Sequence, residues 1–98
     1  MVLKMRIKWL EKAYSELVEI TEYLAQDDVD TASKVTSSIR ARIASLTTQP
    51  HQGRPGRVAG TRELVMKKYP FIIPYRIRNK EIQILRVFHT SQTLPKKW

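Results

Sequence analysis

The spacing of apolar positions changes several times along the chain. From Val2 to Trp9, Leu3, Met5, Ile7 and Trp9 alternate with Lys4, Arg6 and Lys8. Period two predicts a strand with one buried face. From Leu10 to Gln26 the spacing opens to three and four, so that Leu10, Ala13, Leu17, Ile20 and Leu24 form one stripe with Glu11, Glu16, Glu19 and Glu22 off it. That is the pattern of an amphipathic helix. Asp27-Asp28 ends this helix, and Asp28 or Asp30 caps the next. Thr31 to Thr48 repeats the helical pattern through Ala32, Val35, Ile39, Ile43 and Leu46, with Lys34, Arg40 and Arg42 outside the stripe. Two helices joined by so short a polar turn are expected to pack as an antiparallel hairpin. Gln49-Pro50 stops the second helix.

Residues 49–60 read QPHQGRPGRVAG, and Pro and Gly at this density mean a loop, here carrying Arg54 and Arg57. Thr61 to Lys68 is a predicted strand with Leu64 and Met66 on one face. Phe71 to Arg78 is a second, and Pro74 within it predicts an edge position or a bulge, because proline has no amide hydrogen for the ladder. Asn79-Lys80 makes a tight turn without the glycine of the strongest hairpin signal. Glu81 to His89, nearly continuous in apolar residues, is expected to be a central strand buried on both faces. The tail from Thr90 to Trp98 is polar and basic. The order β-α-α-β-β-β predicts an α+β fold: an N-terminal strand, a helical hairpin, then a three-strand antiparallel meander, with the helices on one sheet face. No internal repeat or low-complexity segment appears.

The 98 residues, 42% of them hydrophobic, suit a single domain over 1–98 with one modest core. The chain has no cysteine. This excludes disulfides and thiolate metal sites and fits a reducing compartment. No apolar run reaches the roughly 18 residues of a membrane span, and the N-terminus lacks the apolar region of a secretory signal. The expected setting is the cytoplasm, without a membrane partner.

Charge changes the picture more than composition does. The net charge is +9. Residues 1–50 hold seven basic and seven acidic side chains, whereas residues 51–98 hold eleven basic ones against Glu63 and Glu81 alone. The whole excess lies in the second half, and five arginines (Arg54, Arg57, Arg62, Arg76, Arg86) recur through it. A one-sided basic field implies an anionic partner, and arginine suits bidentate recognition of phosphate or carboxylate.

The common catalytic sets are missing. There is no G-x-S-x-G motif, and only His51 and His89 are available as bases. Two histidines without a nearby carboxylate make no metal site. GRPGRVAG lacks the Lys-Ser/Thr of a phosphate loop. No cofactor is expected. What remains is a basic constellation: Arg62, Lys67, Lys68, Arg76 and His89 are the candidate catalytic residues of a metal-free nuclease, able to hold a phosphodiester, stabilise its transition state and move a proton. Arg54, Arg57, Arg62, Arg86 and His89 are the candidate contacts to a target. Arg86 sits inside an apolar strand and needs a partner, for which a core ion pair with Glu63 is one solution. The alternative for Lys67, Lys68, Arg78 and Lys80 is a solvated strand face.

The strand order, the helical hairpin, the loop Gly53-Arg-Pro-Gly-Arg57, the pair Arg62-Glu63 and the stretch from Tyr75-Arg76 to Ile84-Leu85-Arg86-Val87-Phe88-His89 together resemble the RelE/ParE toxin superfamily of type II toxin–antitoxin systems. The resemblance covers nearly the whole chain. It implies a growth-arresting toxin restrained by a cognate acidic antitoxin, in one of two versions. RelE-like members cut mRNA on the ribosome with Lys, Arg and an aromatic residue or His. ParE-like members inhibit DNA gyrase and carry no catalytic set. Here Lys67 and Lys68 lie near the position of the catalytic lysines. Phe71-Ile72 stands where an arginine is expected, and His89-Thr90-Ser91-Gln92 lacks the arginine pair of a typical RelE. The ending is closer to the ParE-like branch, which makes gyrase the expected target and the ribosome with its mRNA the alternative. A non-toxic nucleic-acid-binding module is a third reading, disfavoured because the aromatic residues read as core.

Overall fold

The structure is a computed structural model that describes residues 4–98. The first strand, β1, runs over Arg6–Trp9; Val2 and Leu3, placed in it by the sequence pattern, lie outside the described residues. Helix α1 spans Glu11–Asp27 and helix α2 spans Val29–Ala44, with a short 3-10 turn over Ser45–Thr47 continuing α2. The hairpin turn between them is a single residue, Asp28. Its backbone N–H donates to the Leu24 carbonyl, closing α1. Its side chain accepts from the backbone N–H of Asp30 at 2.9 Å and from the Thr31 hydroxyl at 3.0 Å, opening α2. One aspartate thus ends one helix and caps the next, and these hydrogen bonds hold its carboxyl below the usual carboxylate range.

Five further strands follow: β2 (Arg54–Pro55), β3 (Arg62–Val65), β4 (Phe71–Arg78), β5 (Glu81–Ile84) and β6 (Phe88–His89). The sheet order is β1-β5-β4-β3-β2, with β6 also paired to β4. The meander β3-β4-β5 is antiparallel as expected, and β1 adds to it in parallel alongside β5, Ile7 opposite Ile82. The β4–β5 turn takes positive φ at both Asn79 and Lys80. This is the backbone twist that a two-residue hairpin prefers, reached here without glycine.

Three sequence expectations are corrected. The loop 49–60 contains the short strand β2, which pairs Arg54 with Glu63 and Pro55 with Arg62. Pro74 is not at an edge: β4 lies between β3 and β5, and Pro74 is buried. Its missing donor is accommodated because the strand facing it breaks there. β5 stops at Ile84, the Leu85 N–H donates to the Pro74 carbonyl, and β6 resumes at Phe88. For the same reason Glu81 to His89 is two strands rather than one, although Ile82 to Leu85 are buried as the apolar run implies.

The core lies between the hairpin and one sheet face. Leu17, Ile39, Ile43 and Leu46 from the helical side meet Leu64, Ile73, Tyr75, Ile82 and Ile84 from the strands. Phe88, paired with Ile72, is instead stacked by Trp98 of the tail at 5.6 Å between ring centroids.

Candidate functional site

The cations of the second half divide into those that are bonded within the fold and those that are free. Glu63 is 1% exposed and receives Arg54 Nη2 at 3.0 Å, Arg57 Nε at 3.0 Å and the Arg57 backbone N–H at 2.9 Å. Burial disfavours its charge, but the hydrogen bonds from Arg57 and then Arg54 outweigh burial and hold its pKa at about 2. Arg57 also stands over the Trp98 ring at 5.7 Å. Arg62 spans the base of the same loop, donating to the carbonyls of His51 at 3.2 Å and Gly53 at 2.8 Å. Gly53 itself donates to the Tyr75 hydroxyl, which donates to the Pro50 carbonyl. A Cβ at Gly53 would come within 2.7 Å of the Tyr75 ring, so only glycine lets the loop close down here. Burial pushes the Tyr75 phenol up, so it stays neutral in this role.

Arg86 does find a carboxylate, but it is Glu16 of α1 and not Glu63. The pair is a two-pronged one, Nε to Oε1 at 2.9 Å and Nη2 to Oε2 at 2.8 Å, and Glu16 also accepts the Val87 backbone N–H at 3.1 Å. It ties the break between β5 and β6 to the first helix. The physical reason for the correction is that Glu63 is already saturated by the loop arginines. Arg76 donates to Gln83 at 2.6 Å, and Gln83 in turn donates to Glu81 at 3.0 Å.

His89 is half-buried. Its Nδ1 accepts the Ser91 backbone N–H at 3.1 Å and lies 2.6 Å from the Ser91 hydroxyl. In the neutral ring this places the proton on Nε2. The ring meets Phe71 edge-on at 5.4 Å. His89 also lines a groove of about 570 Å³ between the hairpin and the end of the sheet, whose apolar walls are Ile20, Leu24, Val35, Tyr69 and Phe71, with Tyr23 at the rim, 70% exposed.

Lys67 and Lys68 are exposed in the turn between β3 and β4. They face α2 across a second depression that also includes Ser38, Ala41, Arg42, Ser45, Gln52 and Met66. The five candidate catalytic residues are therefore not gathered at one point. Lys67 and Lys68 share a depression, His89 lines a different groove, Arg62 braces a loop, and Arg76 lies in a polar ladder on the sheet.

The match to known proteins is consistent along the chain. Residues 7–94 fit the family model described as ParE toxin of type II toxin-antitoxin system, parDE. The chain belongs to the ParE toxin family. A protein of Sinorhizobium fredii (strain NBRC 101917 / NGR234) named "Putative toxin Y4kP" is similar to it, at 43% identity over 90 residues, covering 92% of this chain and 93% of that protein. A solved structure described as the chromosomal ParDE TA system from P. aeruginosa superposes with a TM-score of 0.80 at 35% identity, over 88% of this chain and 96% of the other. The ParE-like side of the RelE/ParE resemblance is thus the right one, and the chain is a toxin of a type II toxin–antitoxin system.

For this ParE-family toxin, two features were absent from the sequence reading. One is the apolar groove, because Tyr23 and Tyr69 line it together from distant parts of the sequence; the exposed side of α1 gave no sign of it beyond a tyrosine off the helical stripe. The other is Arg42, read as an ordinary polar-face residue. Its Nε is buried and has no hydrogen-bond partner among the described residues. Among the described residues no helix is long and apolar enough to cross a membrane.

Proposed function

We propose that this toxin arrests growth by inhibiting DNA gyrase in the cytoplasm and that an acidic antitoxin segment holds it inactive. The observation that carries the gyrase reading is the dispersal of Arg62, Lys67, Lys68, Arg76 and His89. A phosphodiester cleavage needs a proton acceptor, a donor and a charge clamp within hydrogen-bond reach of one bond, and here Arg62, Arg76 and His89 on the strands are each engaged in separate hydrogen bonds within the fold. An inhibitor acts by surface complementarity and needs no such convergence.

The antitoxin reading rests on the groove beside the hairpin. Its walls are apolar and its rim carries an exposed tyrosine, as suits the apolar face of an amphipathic segment. The +9 charge of the surrounding protein favours an acidic one and speeds its approach.

The test uses purified toxin, released from its antitoxin, with gyrase and relaxed plasmid, and in parallel with translating ribosomes. We expect loss of supercoiling and accumulation of gyrase-dependent DNA breaks, with ribosome-bound mRNA uncut. A folded His89→Gln protein should retain most of this toxicity. Cleavage of mRNA by the wild type, lost in a folded His89→Gln variant, would overturn the reading in favour of an mRNA interferase.

A further inference from the structure

Four of the cations that make no ion pair among the described residues lie together. Lys67 and Lys68 of the β3–β4 turn face Arg42 and Ser38 of α2 across one depression. A second depression, sharing Ser38 and Lys68 with the first, continues along α2 past Lys34, Ser33 and Ser37 to Tyr69. Together they form a trough between α2 and the turn. Four cationic side chains line it, and none of the four is in an ion pair among the described residues. No carboxylate and no histidine lines either part. The concentration of like charge with no compensating acid raises the local potential for anions.

The polar groups in the trough are mostly donors or hydroxyls. The Arg42 Nε–H is buried and unpartnered. A buried donor normally has an acceptor, and leaving one without costs free energy. Ser45 and Gln52, by contrast, are engaged with each other and with backbone carbonyls. They form a fixed floor. At the far end Tyr69 is half-buried, with Lys68 Nζ 5.5 Å from its ring.

We propose that this trough is a binding site for the phosphodiester backbone of single-stranded nucleic acid, which it holds without cutting. Serial phosphates suit a line of four cations, Arg42 suits a phosphate oxygen, and Tyr69 offers a ring on which a base stacks; a basic groove ending in an aromatic platform is the general design for single strands. The lack of a histidine or carboxylate leaves no carboxylic acid or imidazole for proton transfer to the backbone. An acidic protein segment is a weaker fit. Its apolar side chains would meet only Ala41 and Met66 here, whereas the groove on the other side of Tyr69 offers Ile20, Leu24, Val35 and Phe71. The site does not depend on which target the toxin has.

The experiment titrates the free full-length toxin into fluorescein-labelled 20-mers of single-stranded DNA, single-stranded RNA and duplex DNA, and into a labelled polyglutamate peptide, reading anisotropy over a range of salt. At least one single strand should bind more tightly than the duplex, and the DNA and RNA arms identify which backbone is preferred. Lys34→Ala/Lys67→Ala/Lys68→Ala should weaken that binding tenfold or more and lower the salt slope by about 2, the release expected for three lost contacts on a single strand. Lys4→Ala/Arg6→Ala/Lys8→Ala removes the same charge from exposed positions in and just before β1 and should change affinity less than threefold. Equal losses in the two triple variants, duplex binding as tight as single-strand binding, or binding to the peptide alone would each overturn the proposal. The labelled strands stay full length under the assay conditions; their cleavage would overturn the non-cutting part.

Discussion

The loop around Glu63 and the turn at Lys67-Lys68 lie at opposite ends of β3, both rich in basic residues, and they use them in opposite ways. At one end a buried carboxylate collects Arg54 and Arg57, while Arg62 binds the carbonyls of the loop. At the other, Lys67 and Lys68 have no carboxylate and face further cations across a trough. Only Leu64, Val65 and Met66 separate a cluster that organises the fold from a charge that is left over. The difference lies in where an acid was placed. A guanidinium held by a buried carboxylate contributes to stability and presents little free charge, whereas an unpaired lysine contributes almost nothing to stability and most of the field.

The sharpest way to break this comparison is to remove both guanidiniums from Glu63. Arg54→Ala/Arg57→Ala leaves a buried carboxylate without its cations and should cost about 3–5 kcal/mol, read as a shift in the urea midpoint. A variant that melts like the wild type but has lost toxicity would show instead that these arginines serve the target. A somewhat smaller effect is expected from acid. The folded pKa of Glu63, about 2, lies below its ordinary 4.5, so the stabilisation is fully present above pH 4.5 and is lost as the pH falls from there toward 2. Its size is roughly 3 kcal/mol from the linkage relation. Stability measured across that window should fall steeply in the wild type and flatten in Glu63→Gln. The smallest effect belongs to the other end of the strand. Lys67→Ala/Lys68→Ala should change stability by less than about 0.5 kcal/mol in the same urea measurement.

Much of the fold was legible in the sequence because it follows from local period. The stripes of α1 and α2 and the alternation of Arg6 to Trp9 state which face of each element is buried. Neighbours are a different matter. Nothing in the alternation of β1 says that it lies beside β5, and nothing in the apolar run from Ile82 to Phe88 says that it breaks opposite Pro74; both depend on pairings between distant residues. The candidate site divides along the same line. That Arg86 needs an acid was readable from its apolar setting, but the acid, Glu16, is 70 positions away. Arg54 and Arg57 looked like free loop charges because a carboxylate on a neighbouring strand is indistinguishable, in sequence, from one in water. The apolar groove was not legible at all, since its walls come from α1, α2, the start of β4 with the turn before it, and β6.

The parallel pairing of β1 with β5 also sets an order of events during synthesis. Arg6 lies opposite Glu81, so β1 has no neighbouring strand until β5 has been made. The hairpin of α1 and α2 needs only local contacts and can form early, but such distant strand contacts form late and slow the completion of the sheet. A nascent toxin therefore has its helices before it has its finished surface. Chains interrupted before β5 would lack the partner of β1, the Glu16–Arg86 tie and the His89 wall of the groove at once. For a protein that harms the cell producing it, a surface completed only when β5 and β6 join the sheet is a surface that forms after the helices.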